Sequence, residues 1–561
     1  MHSSCSPLLL GHPTLPEGFQ SWGAAIESLG AAQALAGSRG PFALAVPLSG
    51  ERVCLAVDRF AGETLCWRVD GGRLRWAARA DELGGALIDA QALFDYLFFH
   101  MIPSPRTIFG GVHRLPAGHV GMWDGKQMTL SLCANLSFGH AGSAEFEPLK
   151  REFRELLLQA VTAELGHGTP ACFLSGGTDS STLAGYIKQI AGEAHTYSIG
   201  FDAAGYDEMA FARIAAKHFG TRHHEYYVTP DDVVRGAAKV AGAYDQPFGN
   251  SSALPAYYCA LRAREDGVTK LLAGDGGDEL FGGNVRYAAQ KVYDIWDRLP
   301  ALVRNGLIEP MLGLPGAQHI PVLRKGRNYV RDAKLGLPDR MQHYNLLLRL
   351  GIDNVLVPAF AASVRPQSVF EQQRQVWAMA SADNDLDRML AYDWRYTLAE
   401  SDLPKVRGTT QLAGVEVGFP MIDAALTDFS MRLPQSYKLK GYKLRWFFKE
   451  ALRDFLPEAI ITKQKKGFGL PFGLWANTHA PLKALASDSL RGFATRGVVR
   501  PDFVKALLDD YLPTHPGYYG EMVWILMTLE QWLRRHRPDW RFEAGPADGA
   551  SPAYREMSAS S

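Results

Sequence analysis

The chain has 561 residues, 47% hydrophobic and 21% charged, which fits a globular protein of two or more domains. Lys plus Arg and Asp plus Glu both total 59, so the formal charge is zero and no nucleic-acid partner is indicated. No apolar run reaches the roughly 18 residues that span a bilayer and no basic-then-apolar leader opens the chain, so no membrane partner and a cytoplasmic location are expected.

Residues 1–40 are rich in Gly, Ser, Pro and Ala without a period and read as an irregular N-terminus. Residues 41–140 read as mostly β. Phe42 to Val46 and Val53 to Val57 flank a Ser-Gly-Glu turn. Further hairpins are expected around Asp70-Gly71-Gly72 and around Asp124-Gly125, with a helix over Asp89 to His100. Residues 135–147 read as a linker. A helix from Pro148 to Leu165 then opens an alternation of strands (Ala171 to Leu174, Ala194 to Phe201, His223 to Val228, Lys270 to Ala273) and helices (Ser180 to Ile190, Asp207 to Phe219, Asp231 to Ala241). Alternation of this kind predicts an α/β fold with a parallel sheet, whose ligands sit at the carboxyl ends of the strands. From about Tyr287 to Trp540 the pattern is helical, and residues 543–561 are small, polar and expected to be disordered. The six cysteines lack Cys-x-x-Cys spacing, so reduced thiols are the simplest reading.

The most informative stretch is Phe173-Leu174-Ser175-Gly176-Gly177-Thr178-Asp179-Ser180-Ser181. A strand, a glycine turn and a helix start aim backbone N–H groups and the positive helix end at one spot, which suits phosphate. Asp179 adds a carboxylate where a divalent metal could bridge to phosphate. The G-x-x-x-x-G-K-[ST] pattern is absent, and Ser-Gly-Gly-x-Asp-Ser is similar to the pyrophosphate loop of ATP pyrophosphatases. A second loop, Gly274-Asp275-Gly276-Gly277-Asp278-Glu279, follows another strand end, so Asp179 and Asp278 could grip one magnesium–pyrophosphate group. Two more segments carry cations: Lys405 after Pro404, and Lys463-Gln464-Lys465-Lys466 before Gly467-Phe468-Gly469. Taken singly, such features are also ordinary turns, acidic loops and surface lysines.

Six blocks in order make residues 148–540 resemble the synthetase domain of the asparagine synthetase family. They are the Ser-Gly-Gly loop, Tyr197 to Phe201 with Asp207-Glu208, Gln246-Pro247-Phe248 with Ser251 to Pro255, the Gly-Asp-Gly-Gly-Asp-Glu loop, Pro404-Lys405-Val406, and the Lys-Lys-Gly-Phe-Gly block. The resemblance implies an adenine-nucleotide α-hydrolase-like parallel sheet with a helical extension, and an N-terminal α+β remnant of an Ntn glutaminase domain. It implies ATP and Mg²⁺ as cofactors. A carboxylate is adenylated with release of pyrophosphate, and an amine then displaces AMP to give an amide. By motif position, Ser175, Gly176, Gly177, Asp179 and Ser180 would hold pyrophosphate, and Asp179 and Asp278 would bind Mg²⁺. Ile199, Asp207 and Gly274 would touch the nucleotide. Lys465 would stabilise charge in the reaction, and Lys405 would assist at the phosphates. Asp275 stands where the family usually has glutamate and could orient or deprotonate the amine.

The chain departs from the family in two places. The glutaminase nucleophile is a cysteine directly after the initiator Met, whereas this chain begins Met1-His2-Ser3-Ser4-Cys5, and the first family block is Pro41-Phe42-Ala43. The expectation is that no glutamine is hydrolysed and that ammonia, another amine donor, a partner protein or the substrate itself supplies nitrogen. A start site set downstream of the true one would look the same. Gly418 stands where aspartate-binding members of the family often carry arginine, which favours a larger or different carboxylate. A small carboxylate and a peptide therefore compete as substrate, the latter cyclised as in lasso-peptide cyclases. A β-lactam-forming relative and a non-catalytic nucleotide-binding scaffold also stand as readings, and a homodimer is an open possibility.

Overall fold

The computed structural model describes residues 7–85, 87–139, 145–312, 314, 319–464, 467, 469–543 and 554–556. Its strands are, in chain order, β1 (Leu8–Gly11), β2 (Phe42–Pro47), β3 (Val53–Val57), β4 (Cys66–Asp70), β5 (Arg73–Ala77), β6 (His113–Arg114), β7 (His119–Trp123) and β8 (Met128–Leu132). Then follow β9 (Ala171–Phe173), β10 (His195–Phe201), β11 (Arg222–Val228), β12 (Lys270–Leu272), β13 (Glu416–Gly418), a hairpin of β14 (Leu439–Lys440) and β15 (Lys443–Leu444), and β16 (Tyr554–Glu556).

The amino-terminal part stacks a sheet of order β1-β2-β3-β7-β8-β16 against a smaller one of order β5-β4-β6. Strand residues alternate between faces, and β2 shows both faces apolar. Ala43 and Ala45 pack with Leu55, Val57, Trp67 and Leu74 between the sheets. Phe42, Leu44 and Val46 pack on the other side with Ala25, Ile26 and Ala34. Those last three residues belong to helices Trp22–Leu29 and Ala31–Leu35. Leu8–Gly11, Trp22–Leu29 and Ala31–Leu35 are thus regular elements in a stretch expected to be irregular: an apolar sheet face needs a cover, and the two helices supply it. At the other end of the chain, Tyr554 to Glu556 pairs parallel with Met128 to Leu130, where disorder was expected. Residues 544–553 and 557–561 lie outside the described residues.

The second sheet is parallel, of order β11-β10-β9-β12-β13. The chain runs outward from β9 to β10 and β11, then returns to place β12 on the other side of β9. The strand order therefore reverses between β9 and β12, and a crevice at such a switch point, outside the carboxyl ends of the strands, is where ligands bind in open α/β sheets. β13 pairs with β12 in register Leu272 to Gly418. Its three residues are too short for a periodic signal, and the surrounding pattern reads as helix. Ser137 bridges to Ser381 and Phe138 is buried, so the described part of the expected linker is packed against the helical region.

The two parts share one core. Helix Ala90–Phe99, capped by Asp89 accepting from the Ala92 N–H, buries Leu93, Phe94 and Leu97 with Val523, Leu526 and Leu529 of helix Pro516–His536. Tyr96 Oη donates to the Ile525 carbonyl at 2.8 Å. Ion pairs reinforce the seam: Arg114–Asp245 at 2.5 Å, Arg59–Asp428 at 2.8 Å, and Glu63–Arg407.

Candidate active site

The loops after β9 and β12 emerge side by side because their strands are neighbours. The first turn is Ser175-Gly176-Gly177, and helix Thr178–Ala191 starts on it with Asp179 in its first turn. Ser180 Oγ accepts from the Ser175 N–H and pairs with Ser175 Oγ, both at 3.1 Å, so the two hydroxyls hold the turn shut on itself. Gly176 has φ +66°, and a Cβ there would lie 2.4 Å from the Ala212 nitrogen, so no other residue fits. In the second loop, a Cβ on Gly277 would meet Asp179 Oδ1 at 2.1 Å. That closeness lets Asp179 and Asp278 face one another across the switch point.

They converge on one atom. Arg445 Nη1 donates to Asp179 Oδ2 and to Asp278 Oδ1, each at 2.8 Å, and Nη2 donates to Asp179 Oδ1. Arg445 follows the β14–β15 hairpin in the left-handed region, φ 54°, with its guanidinium 4.4 Å from the Phe448 ring centre. Burial lowers its pKa to about 9, so it stays a cation at neutral pH.

These groups line a cavity of about 1360 Å³. Ser175, Gly177, Asp179, Ser180, Ile199, Gly274, Asp275, Asp278 and Lys405 all face it. Gly176 turns away, and its carbonyl accepts from Lys463 Nζ at 3.2 Å. Asp207 does not line the cavity; its Oδ1 accepts from the Met209 N–H at 3.4 Å at a helix start, and Tyr206 and Glu208 face the space instead. Lys465 lies outside the described residues.

Lys405 sits on helix Leu403–Ala413, entered through the π-helical stretch Trp394–Asp402. Its Nζ reaches Asp275 at 3.2 Å and Asp402 at 3.0 Å. Burial opposes its charge, but the two carboxylates override that and raise its pKa. Burial also raises Asp275, and Lys405 offsets only part of this. Lys405 is therefore an acid-bound cation here. Glu279, beside Asp278, is buried, and burial together with Asp278, Asp402 and Asp393 pushes it well above the carboxylate range.

Sequence reading missed Arg445, Lys443 and Lys449, which all face the cavity. The only signal was three cations in the seven residues after Gly441-Tyr442, and two-residue strands hide the hairpin that aims them. Gly418 was misread. A Cβ there would lie 2.4 Å from Glu164 Oε2 and 2.8 Å from Leu272 Cδ2, and the residue does not line the cavity. Its small size answers to packing against Glu164, not to substrate space.

Among the described residues, no group of three or more His, Cys, Asp or Glu could hold a metal ion unaided. Two carboxylate oxygens sharing one point do fit Mg²⁺, which typically takes one or two carboxylates and completes its shell with phosphate and water. No helix among the described residues is long and apolar enough to cross a membrane.

A parallel sheet with a Ser-Gly-Gly turn at its switch point, faced by two carboxylates, is an arrangement suited to a nucleotide's phosphates. Residues 152–534 match the family described as asparagine synthase, and residues 23–133 match a glutamine amidotransferase domain, starting ahead of the Pro41 block. The chain belongs to the asparagine synthase family. It is 23% identical over 453 residues to the glutamine-hydrolyzing asparagine synthetase 1 of Bacillus subtilis (strain 168), covering 79% of this chain and 68% of that one. It is 32% identical over 226 residues to a putative glutamine-hydrolyzing asparagine synthetase 2 of Methanocaldococcus jannaschii, covering 39% and 42%. Amidase chyE of Penicillium rubens is 23% identical over 461 residues, covering 71% and 66%.

Proposed function

We propose that this protein forms an amide by ATP-dependent adenylation of a carboxylate, with release of pyrophosphate and then AMP. The observation that carries this reading is the convergence of Asp179 and Asp278 beneath the Ser-Gly-Gly turn. Ser175, Gly177 and Ser180 take the pyrophosphate, while Leu174, Tyr197 and Ile199 offer the apolar wall for the base. Mg²⁺, held by Asp179 and Asp278, supplies charge neutralisation on the phosphates. Lys443, Arg445 and Lys449 line the phosphate end, and Lys465 is assigned the charge that develops at the reacting carboxyl. Asp275 orients the amine while Lys405 holds its carboxylate. A scaffold that only binds nucleotide would have no need of this full set.

Glutamine is not the nitrogen source in this reading. All five described cysteines have thiol pKa values raised by burial, Cys54, Cys66 and Cys172 to about 12. A nucleophilic thiol needs the opposite shift. Cys5 lies outside the described residues.

The end of the cavity away from the phosphates favours an acyl substrate other than aspartate. Its walls are Phe99, Asn250, Ser251, Trp524 and the His100–Glu521 pair at 3.2 Å. Lys405, one helical turn beyond the Ser401 hydroxyl that Asn250 contacts, is already bound by Asp275 and Asp402 and is not open to a second carboxylate. A peptide closed onto its own amine is the second reading. Pyrophosphate release from Mg-ATP, measured with aspartate plus ammonium and with aspartate plus glutamine, tests the set. Release and asparagine with ammonium alone support the small-substrate form. Silence with both, but release with a carboxylate-bearing peptide, supports the second. Silence with every carboxylate refutes adenylation.

A further inference from the structure

The point that suits Mg²⁺ already carries a cation. Arg445 contributes three hydrogen bonds to Asp179 and Asp278, and its side chain is 5% exposed. Each carboxylate is 16% exposed, so neither has much water to fall back on. Arg445 Nε is buried without a partner, so the guanidinium is bound only through its two terminal nitrogens. Its backbone N–H donates to the Gly282 carbonyl at 3.2 Å, which ties the residue to the end of the Asp278 loop.

A metal ion and a guanidinium cannot both stand between the same oxygens. If metal alone entered, Arg445 would lose both partners inside a buried site, and an uncompensated buried charge is strongly unfavourable. A nucleotide changes the balance, because its phosphates give the displaced guanidinium a new bidentate partner.

We propose that Arg445 is the resident cation of the metal position. It holds Asp179 and Asp278 together in the nucleotide-free protein and yields them only when phosphate arrives, so divalent metal enters with nucleotide and not before it. This rests on the ATP-dependent reading above, and it adds an order of binding and a gatekeeper residue.

The test uses Mn²⁺ as the probe, followed by the loss of the free-ion spin-resonance signal, on the full chain. Wild type is expected to take up Mn²⁺ with α,β-methylene-ATP and at least 10-fold more weakly without it. Arg445→Met and Arg445→Gln are expected to bind Mn²⁺ without nucleotide at least 10-fold more tightly than wild type. Mn²⁺ should also raise the melting temperature of both variants and leave that of wild type unchanged. Adding Asp278→Asn to Arg445→Met should abolish the gain, which places the ion at these carboxylates. Two variants guard against one failing to fold, and the melting curves report folding directly. Equal Mn²⁺ binding by wild type with and without nucleotide would overturn the proposal, as would folded variants that gain nothing. The Arg445 variant gain without pyrophosphate release on any carboxylate tried would uphold the proposal and sink the adenylation reading. Pyrophosphate release without the variant gain would do the reverse.

Discussion

The two sheets of this molecule treat their polar groups in opposite ways. Around the parallel sheet, Asp179, Asp275, Asp278, Lys405 and Arg445 pair with one another along the wall of the cavity. In the amino-terminal part, Arg59, Glu63 and Arg114 point outward from the sheets into the seam with the other part. Both faces of its larger sheet are filled by apolar side chains. One part thus keeps its charges for a ligand, and the other spends them on attachment. The contrast teaches that the amidotransferase-like part also supplies wall to its neighbour: Phe99 and His100, at the end of its helix, line the cavity.

The sharpest way to break this contrast is at the switch point. Asp179→Asn, which keeps an acceptor for the buried Arg445 guanidinium, should lower pyrophosphate release by on the order of 10²- to 10³-fold and cost less stability than a seam variant. A variant in the seam should show the reverse. Arg114→Met leaves Asp245 buried and unpaired, and should cost about 3–5 kcal/mol in urea unfolding. The remaining folded protein should bind nucleotide normally. Gly418→Ala should cost about 1–3 kcal/mol by overpacking against Glu164 and Leu272, with the carboxylate preference in the pyrophosphate assay unchanged. A changed preference would restore Gly418 to the substrate site. The smallest effect is a pH dependence of the seam. Burial raises Asp245, but Arg114 and the Ala80 N–H outweigh it and hold the carboxylate below its ordinary value. A folded pKa below the unfolded one means full stabilisation above pH ~4, lost as pH falls through the folded value. Urea midpoints between pH 5 and pH 3 should fall more steeply for wild type than for Arg114→Met.

The alternation of strands and helices from Ala171 onward made the parallel sheet legible, because the helices between the short apolar runs are long enough to show their period. The turn at Gly176 was legible because few physical situations ask for Ser-Gly-Gly at a strand end. That Asp179 and Asp278 meet followed from the sheet, since neighbouring parallel strands end on one edge. Arg445 was not legible. It lies 266 positions from Asp179, just after a hairpin whose strands of two residues carry no alternation. Asp207 was misplaced by its neighbourhood: the motif is at the cavity, but the side chain that faces it is Glu208. Leu8 to Leu35 went unread because Pro and Gly interrupt short elements whose apolar faces make sense only against β2.

The pairing of helix Ala90–Phe99 with helix Pro516–His536 also sets an order on how the molecule is made. Tyr96 finds its acceptor 429 residues later. At 5–20 residues per second, translation takes roughly 20–90 s to reach that partner. During that interval Leu93, Phe94 and Leu97 have no cover from the carboxyl-terminal helix. The nascent chain therefore carries a sticky amphipathic segment for most of its synthesis, and helix Pro516–His536 acts as the closing clasp. Recombinant yield should respond to chaperone supply and growth temperature through this one contact more than through the catalytic loops.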